Sequence, residues 1–110
     1  MSRRRHTPSQ SGTFTVNQPS GGMLRFSPRS SEAHIGRRRI TLSDVESRLL
    51  QALIEDRGQV VTRTELMMAA WGLAHPERIP LLETAIDHLR ERLGPDVKIE
   101  TVPGIGYRLP

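Results

Sequence analysis

The sequence predicts an α+β domain in which a small antiparallel sheet precedes three helices and a closing hairpin. Three observations carry that prediction. Short period-two runs fill the stretch before Ser43, two capping boxes each open an apolar helical stripe, and two strand-like segments meet at Pro103-Gly104. A chain of 110 residues holds one such domain.

The elements follow in order. Residues 1–11 carry Arg3, Arg4 and Arg5 among Ser, Pro and Gln and offer nothing to a core, so they read as a disordered basic arm. The remaining 12–110 read as the folded domain. Phe14 and Val16 alternate with threonine, and Pro19-Ser20-Gly21-Gly22 is a turn signal. Met23 to Ser27, Ala33-His34-Ile35 and Ile40-Thr41-Leu42 add three more alternating runs, which makes a sheet of three or four short strands over 12–42.

A three-helix core over 43–93 comes next. Ser43 and Glu46 have capping-box spacing, Val45, Leu49, Leu50, Leu53 and Ile54 recur at helical period, and Gly58 is the stop. Val60-Val61 is a brief strand. Thr62 and Glu65 form a second box, opening a helix through Leu66, Ala69, Ala70 and Trp71 that Gly72 ends. Leu73 to Ile79 reads as a loop. Pro80 suits a first helical position, and Leu82, Ile86, Leu89 and Leu93 form the third helix's buried stripe. Lys98 to Val102 and Ile105 to Leu109 then pair as a hairpin within 97–109, with Pro103-Gly104 at the centre of a type II turn.

Composition excludes several classes. Hydrophobic residues are 35% and aromatics 4%, and cysteine is absent, which removes disulfide scaffolds, thiol nucleophiles and Cys-based zinc sites. The longest apolar run, Leu66 to Trp71, is far below the ~20 residues of a membrane span. His6, His34, His75 and His88 are scattered without metal-ligand spacing, and Gly104-Ile105-Gly106 lies in a hairpin with no helix after it, unlike a phosphate loop. Glu83 and Asp87 share a helix face, but no apolar cleft suggests itself to tune them for acid–base work. These bounds predict a small soluble cytoplasmic protein that is not an enzyme and uses no cofactor or metal.

The net charge of +4 is unevenly divided. Residues 1–43 hold eight arginines against Glu32, a net +7, whereas 44–110 hold eight cations against eleven carboxylates, a net −3. A polyanionic partner is implied for the first third of the chain.

Helix, short strand, helix, helix and hairpin, in that order, make a winged helix-turn-helix. Ile40-Thr41-Leu42-Ser43 ahead of a helix, Gly58 to Leu66, Ala70-Trp71-Gly72, His88 to Leu93 and Thr101 to Leu109 resemble the C-terminal effector domain of OmpR/PhoB-type response regulators. The preceding strands, with Leu24-Arg25-Phe26-Ser27-Pro28, look like that family's four-stranded platform. The resemblance covers about residues 22–110 and is strongest from 40 onward.

The resemblance implies a bacterial DNA-binding transcriptional regulator. Its third helix would lie in the major groove and its wing in the adjacent minor groove, with the second helix touching phosphates at its first turn and last residue. Position by position, Arg63 and Trp71 fall at the phosphate contacts of the second helix and Tyr107 at that of the wing strand; such contacts position without reading sequence. Leu81, Thr84, His88 and Arg92 fall on the DNA side of the third helix.

This chain departs from the family's reading face. Where the family usually has Arg-Thr, then His, Arg and Lys, it has Pro80, Leu81, Ala85, His88 and Glu91, and Pro103 replaces the wing-tip arginine. Glu83, Asp87 and Glu91 add a carboxylate edge, each costing ~0.5 kcal/mol at about 7 Å from a phosphate. The expected function is therefore a phosphate-anchored regulator with an atypical reading helix, binding double-stranded DNA and assisted by Arg3, Arg4 and Arg5. A solvated tail is the competing reading of that arm, and for Arg37-Arg38-Arg39 the favoured reading is protection of a sheet edge.

The alternative is a docking module for RNA polymerase or another regulator. It would use Leu73, His75, Glu77 and Arg78 in the loop together with Glu83, Asp87 and Glu91. The family's upstream receiver domain is expected to be lacking, and homodimerisation on DNA stays open. No membrane contact is expected.

Overall fold

The computed structural model describes residues 12–19 and 22–110. Strands β1 (Phe14–Asn17), β2 (Met23–Ser27), β3 (Glu32–Ile35) and β4 (Arg38–Thr41) form an antiparallel sheet in sequential order. Alternation sorts its two faces. Phe14, Phe26, Ala33 and Ile40 stand in one cross-strand row on the inner face, with Val16, Leu24 and Ile35 buried beside them. Thr15, Arg25, His34 and Arg39 stand in the matching row on the outer face.

The fourth strand begins at Arg38, two residues before the alternating run that predicted it. Ile35 pairs with Arg38, which leaves a two-residue loop, Gly36-Arg37, and Gly36 at φ +61 fits the first central position of a type II′ turn. Two of the three consecutive arginines are therefore ladder residues.

Both capping boxes are in place. In α1 (Asp44–Glu55), Ser43 Oγ accepts from the Glu46 N–H at 3.1 Å and Glu46 Oε1 accepts from the Ser43 N–H at 2.9 Å. Thr62 and Glu65 repeat the exchange at the same two distances at the start of α2 (Arg63–Trp71), which follows β5 (Val60–Thr62) directly. The first helix ends at Glu55 rather than running to Gly58, whose N–H instead donates to the Leu109 carbonyl at 2.8 Å. On α2 the buried positions are Leu66, Met67 and Ala70, while Ala69 is exposed. Gly72 closes that helix in the left-handed region at φ +77.

The segment expected to be loop holds a single 3-10 turn, Pro76–Arg78, and runs straight into α3 (Ile79–Leu93). Pro80 is thus the second residue of the helix and not the first. Pro76 and Pro80 lack N–H groups at positions where a helix start leaves them unpaired anyway. Leu82, Ile86, Leu89 and Leu93 are all fully buried, as their spacing predicts. They meet Leu49, Leu50 and Leu53 of α1 and Leu66 of α2, each of such side chains contributing about 2 kcal/mol by burial.

The hairpin is shorter than its sequence run and gains a strand. Strands β6 (Glu100–Val102) and β7 (Gly106–Arg108) pair over three registers, and β7 also pairs with β5, giving the order β5-β7-β6. Lys98 is drawn away because its N–H donates to Gln18 Oε1 at 2.7 Å. The Ile105 N–H bonds the Val102 carbonyl at 3.0 Å, and Gly104 at φ +75 after Pro103 fits a type II turn. The architecture is a winged helix. Among the described residues no helix is long and apolar enough to cross a membrane.

Candidate nucleic-acid interface

The start of α2 meets the wing. Arg63 opens α2, and its backbone N–H donates to the Ile105 carbonyl at 3.0 Å, which fixes the helix start against the wing. Trp71 closes α2 with its ring packed partly against the core. Tyr107 lies in the central wing strand between Val61 and Thr101 and is buried, with 6% of its surface exposed.

The phenol's surroundings are charged. Burial pushes the Tyr107 pKa up, and the Glu83 and Asp87 carboxylates push the same way, while the Arg90 and Arg63 guanidinium groups pull it back. Tyr107 therefore keeps its proton at neutral pH and presents an O–H donor, the form that suits a phosphate oxygen. Arg90 stacks over the ring with Cζ 5.6 Å from its centre.

The outward face of α3 shows Leu81, Thr84, Asp87, His88 and Glu91, with Leu81 51% exposed. The two arginines of this stretch turn away from that face, to opposite sides. Arg90 donates twice to the Ile99 carbonyl, at 2.6 and 3.1 Å, to Thr101 Oγ1 at 2.7 Å and to Asp87 at 3.4 Å, so it ties α3 to the wing. Arg92 pairs with Glu46 at 3.1 Å and donates to the Thr41 carbonyl, so it ties α3 to α1 and the platform. Sequence alone groups Arg92 with the DNA-facing residues; in the fold its guanidinium is partly exposed and engages Glu46 and the Thr41 carbonyl. Glu83, Asp87 and Glu91 are all exposed, and Asp87 has Arg90 as a partner.

The loop residues Leu73, His75, Glu77 and Arg78 are exposed, and His75 sits 3.7 Å from Glu77. Between loop and wing lies a cleft of about 290 Å³, lined by Arg63, Met67, His75, Ile79 and Ile105 among others. Arg3, Arg4 and Arg5 lie outside the described residues. Arg38 lies in the edge strand β4 and also donates to the Leu93 carbonyl at 2.6 Å, closing the C-terminal end of α3. Arg37 and Arg39 are exposed, with Arg39 on the platform's outer face. Among the described residues no three His, Asp or Glu side chains gather as a metal site.

Sequence reading missed two positioning residues. Gln18 is buried and bridges the platform to the C-terminal segment, donating to the Lys98 carbonyl at 2.9 Å and the Pro110 carbonyl at 3.3 Å. Nothing local marks it. Arg90 could have been suspected, since it adjoins the buried stripe at 86 and 89.

Residues 36–109 match the family described as transcriptional regulatory protein, C terminal. The response regulator MprA of Mycobacterium tuberculosis is 35% identical over 89 residues, spanning 78% of this chain and 39% of that protein. The response regulator protein PmrA of Pseudomonas aeruginosa is 33% identical over 86 residues, covering 78% of this chain and 38% of its own length. The chain thus spans about two fifths of the curated relatives it matches. Among solved structures, the DNA binding domain of CpxR from E. coli superposes with a TM-score of 0.71 at 28% identity, covering 88% of this chain and 94% of that one. The Klebsiella pneumoniae RstA DNA-binding domain, solved in complex with RstA box, gives 0.70 at 24% identity over 86% and 95% of the two chains, a likeness of fold.

Proposed function

This chain belongs to the family of C-terminal domains of transcriptional regulatory proteins, and from that premise we propose that it binds double-stranded DNA as a phosphate-anchored winged helix. The observation that carries the reading is the junction of the α2 start with the wing, where the Arg63 N–H bonds the Ile105 carbonyl and the Arg63 guanidinium acts on Tyr107, with Trp71 at the far end of the same helix. Each supplies a donor of the kind that holds phosphate without reading bases. The outward face of α3, with Leu81, Thr84 and His88, addresses the major groove, and the Pro103 turn addresses the minor groove. Arg92 orients α3 through Glu46 rather than reaching DNA itself. Arg3, Arg4 and Arg5 add sequence-independent charge. The domain acts in the bacterial cytoplasm as a regulator of transcription.

A second reading is favoured by one observation: the exposed α3 face carries Asp87 and Glu91 while both nearby arginines are engaged by other parts of the fold. A docking surface for RNA polymerase or another regulator, made by the 73–78 loop and the α3 carboxylates, has that character. Titration of the full chain against random duplex across salt separates the two. Phosphate anchoring predicts a steep log–log loss of affinity, with Arg63→Ala lowering the slope by about 1. No binding even at low salt would remove the DNA reading and leave the docking one.

A further inference from the structure

Unbalanced charge of opposite sign stands on two elements of the fold. Its outer platform face presents Arg25, His34 and Arg39 in one cross-strand row. Arg25 and His34 also line a shallow cavity of about 620 Å³ that Lys98, Asp96 and Met23 complete. Among the described residues, no side-chain acceptor meets the guanidinium groups of Arg25 or Arg39, while Glu32 stands 3.7 Å from His34. At another place on the same molecule, Glu83, Asp87 and Glu91 climb the exposed side of α3 at intervals of four.

The two rows are opposite in sign and similar in length. Three neighbouring strands set the cationic row at about 10 Å, since strands lie ~4.8 Å apart. Eight helical residues set the acidic row at about 12 Å. Both surfaces are presented outward, and a helix is narrow enough to lie across a four-stranded sheet.

We propose that the outer face of the platform docks the acidic α3 face of a second copy of this chain, head to tail. Arg25 and Arg39 meet the carboxylates of Asp87 and Glu91, and the cavity beside Lys98 receives a carboxylate from the helix edge. The contact is heterologous, so a docked pair keeps one free platform and one free α3. Its footprint is small and its core charged, which places it among weak, salt-sensitive contacts. It goes beyond the DNA reading and has a consequence for it: a docked α3 cannot enter a groove, so self-association and duplex binding compete for one helix.

The test is sedimentation velocity of the full chain without DNA, over about a hundredfold range of concentration at low and at high salt. The weight-average sedimentation coefficient should rise with concentration at low salt and stay at the monomer value at high salt. An Arg25→Glu/Arg39→Glu chain and an Asp87→Lys/Glu91→Lys chain should each be monomeric alone, each still melting cooperatively, and should associate when mixed, because the exchanged charges complement each other. A wild-type chain that stays monomeric at low salt, or variants that associate as the wild type does, would overturn the proposal. So would a platform variant whose only defect is weaker duplex binding, which would give that face to nucleic acid. Failure of duplex binding in the salt titration would leave these DNA-free outcomes unaffected.

Discussion

Glu46 and Arg92 form an ion pair at 3.1 Å whose carboxylate also accepts the Ser43 N–H, so one buried carboxylate both starts α1 and holds α3. The cap is therefore not a local device alone. It couples the first helix to the orientation of the helix that faces outward.

That coupling predicts a specific non-additivity. Glu46→Ala removes half of the capping box and leaves Arg92 facing a bare α1 terminus, which should cost about 1–2 kcal/mol in urea unfolding. Arg92→Ala should cost less, since the guanidinium is partly exposed and such pairs are screened. The double variant should be more stable than the sum of the two losses implies, by roughly 0.5–1 kcal/mol. Strict additivity would show that the pair contributes nothing to the fold.

Gln18 predicts a larger loss than its position in a turn suggests. Its amide donates to Lys98 and Pro110 and accepts from the Lys98 N–H, joining segments about 80 residues apart. Gln18→Leu keeps much of the volume but strips the part-buried Lys98 backbone groups of their partner, so a loss of about 1–3 kcal/mol is expected from denaturant melts. Gln18→Glu should be intermediate, because it keeps the acceptor for the Lys98 N–H while placing a charge beside the Lys98 carbonyl.

The same contrast explains how much was legible in the sequence. Ser43 with Glu46, Thr62 with Glu65 and Pro103 with Gly104 act within four residues, so their chemistry is written where it operates. The stripes at Leu82, Ile86, Leu89 and Leu93 are equally local, and with the caps they suffice for the fold. Gln18, Arg38, Arg90 and Arg92 act on backbone carbonyls of distant segments, which become acceptors only once the chain has folded. For that reason arginines that read as free cations in the sequence are partly structural. Arg63, Trp71 and Tyr107 were placed by family resemblance rather than periodicity, and the fold brings them to the ends of α2 and the adjoining wing.

Tyr107 is the chain's one tyrosine, so its phenolate absorbance reports a single site. Burial, then Glu83, raises its pKa above the ordinary 10.0 in the folded state. The unfolded chain then releases this proton first as pH rises. The phenol's contribution to stability is fully present below about pH 10 and is lost as pH climbs through the folded value. Tyr107→Phe should flatten this part of the stability profile, and Glu83→Gln should move the absorbance midpoint down. A folded-state midpoint at or below that of the urea-unfolded chain would contradict the charge arrangement around the wing.

The outward carboxylates of α3 make the last prediction, and its sign is unusual for a DNA-binding face. If α3 lies in a major groove, Asp87 and Glu91 sit within reach of two phosphate strands and repel both. At about 7 Å and high dielectric each charge costs ~0.5 kcal/mol, so Asp87→Asn with Glu91→Gln should tighten duplex binding about fivefold at low salt. The gain should shrink as salt rises, because the Debye length falls to about 8 Å near physiological ionic strength. The new amides can also accept from and donate to adenine, so selected duplexes should shift toward A·T pairs at the affected positions. Asp87 complicates the pair, since its loss frees Arg90 from a 3.4 Å contact and lets that guanidinium bear more fully on the wing. Glu91→Gln alone avoids this and should give roughly half the gain in free energy. Unchanged affinity in both variants would place α3 outside the groove and return the face to protein docking.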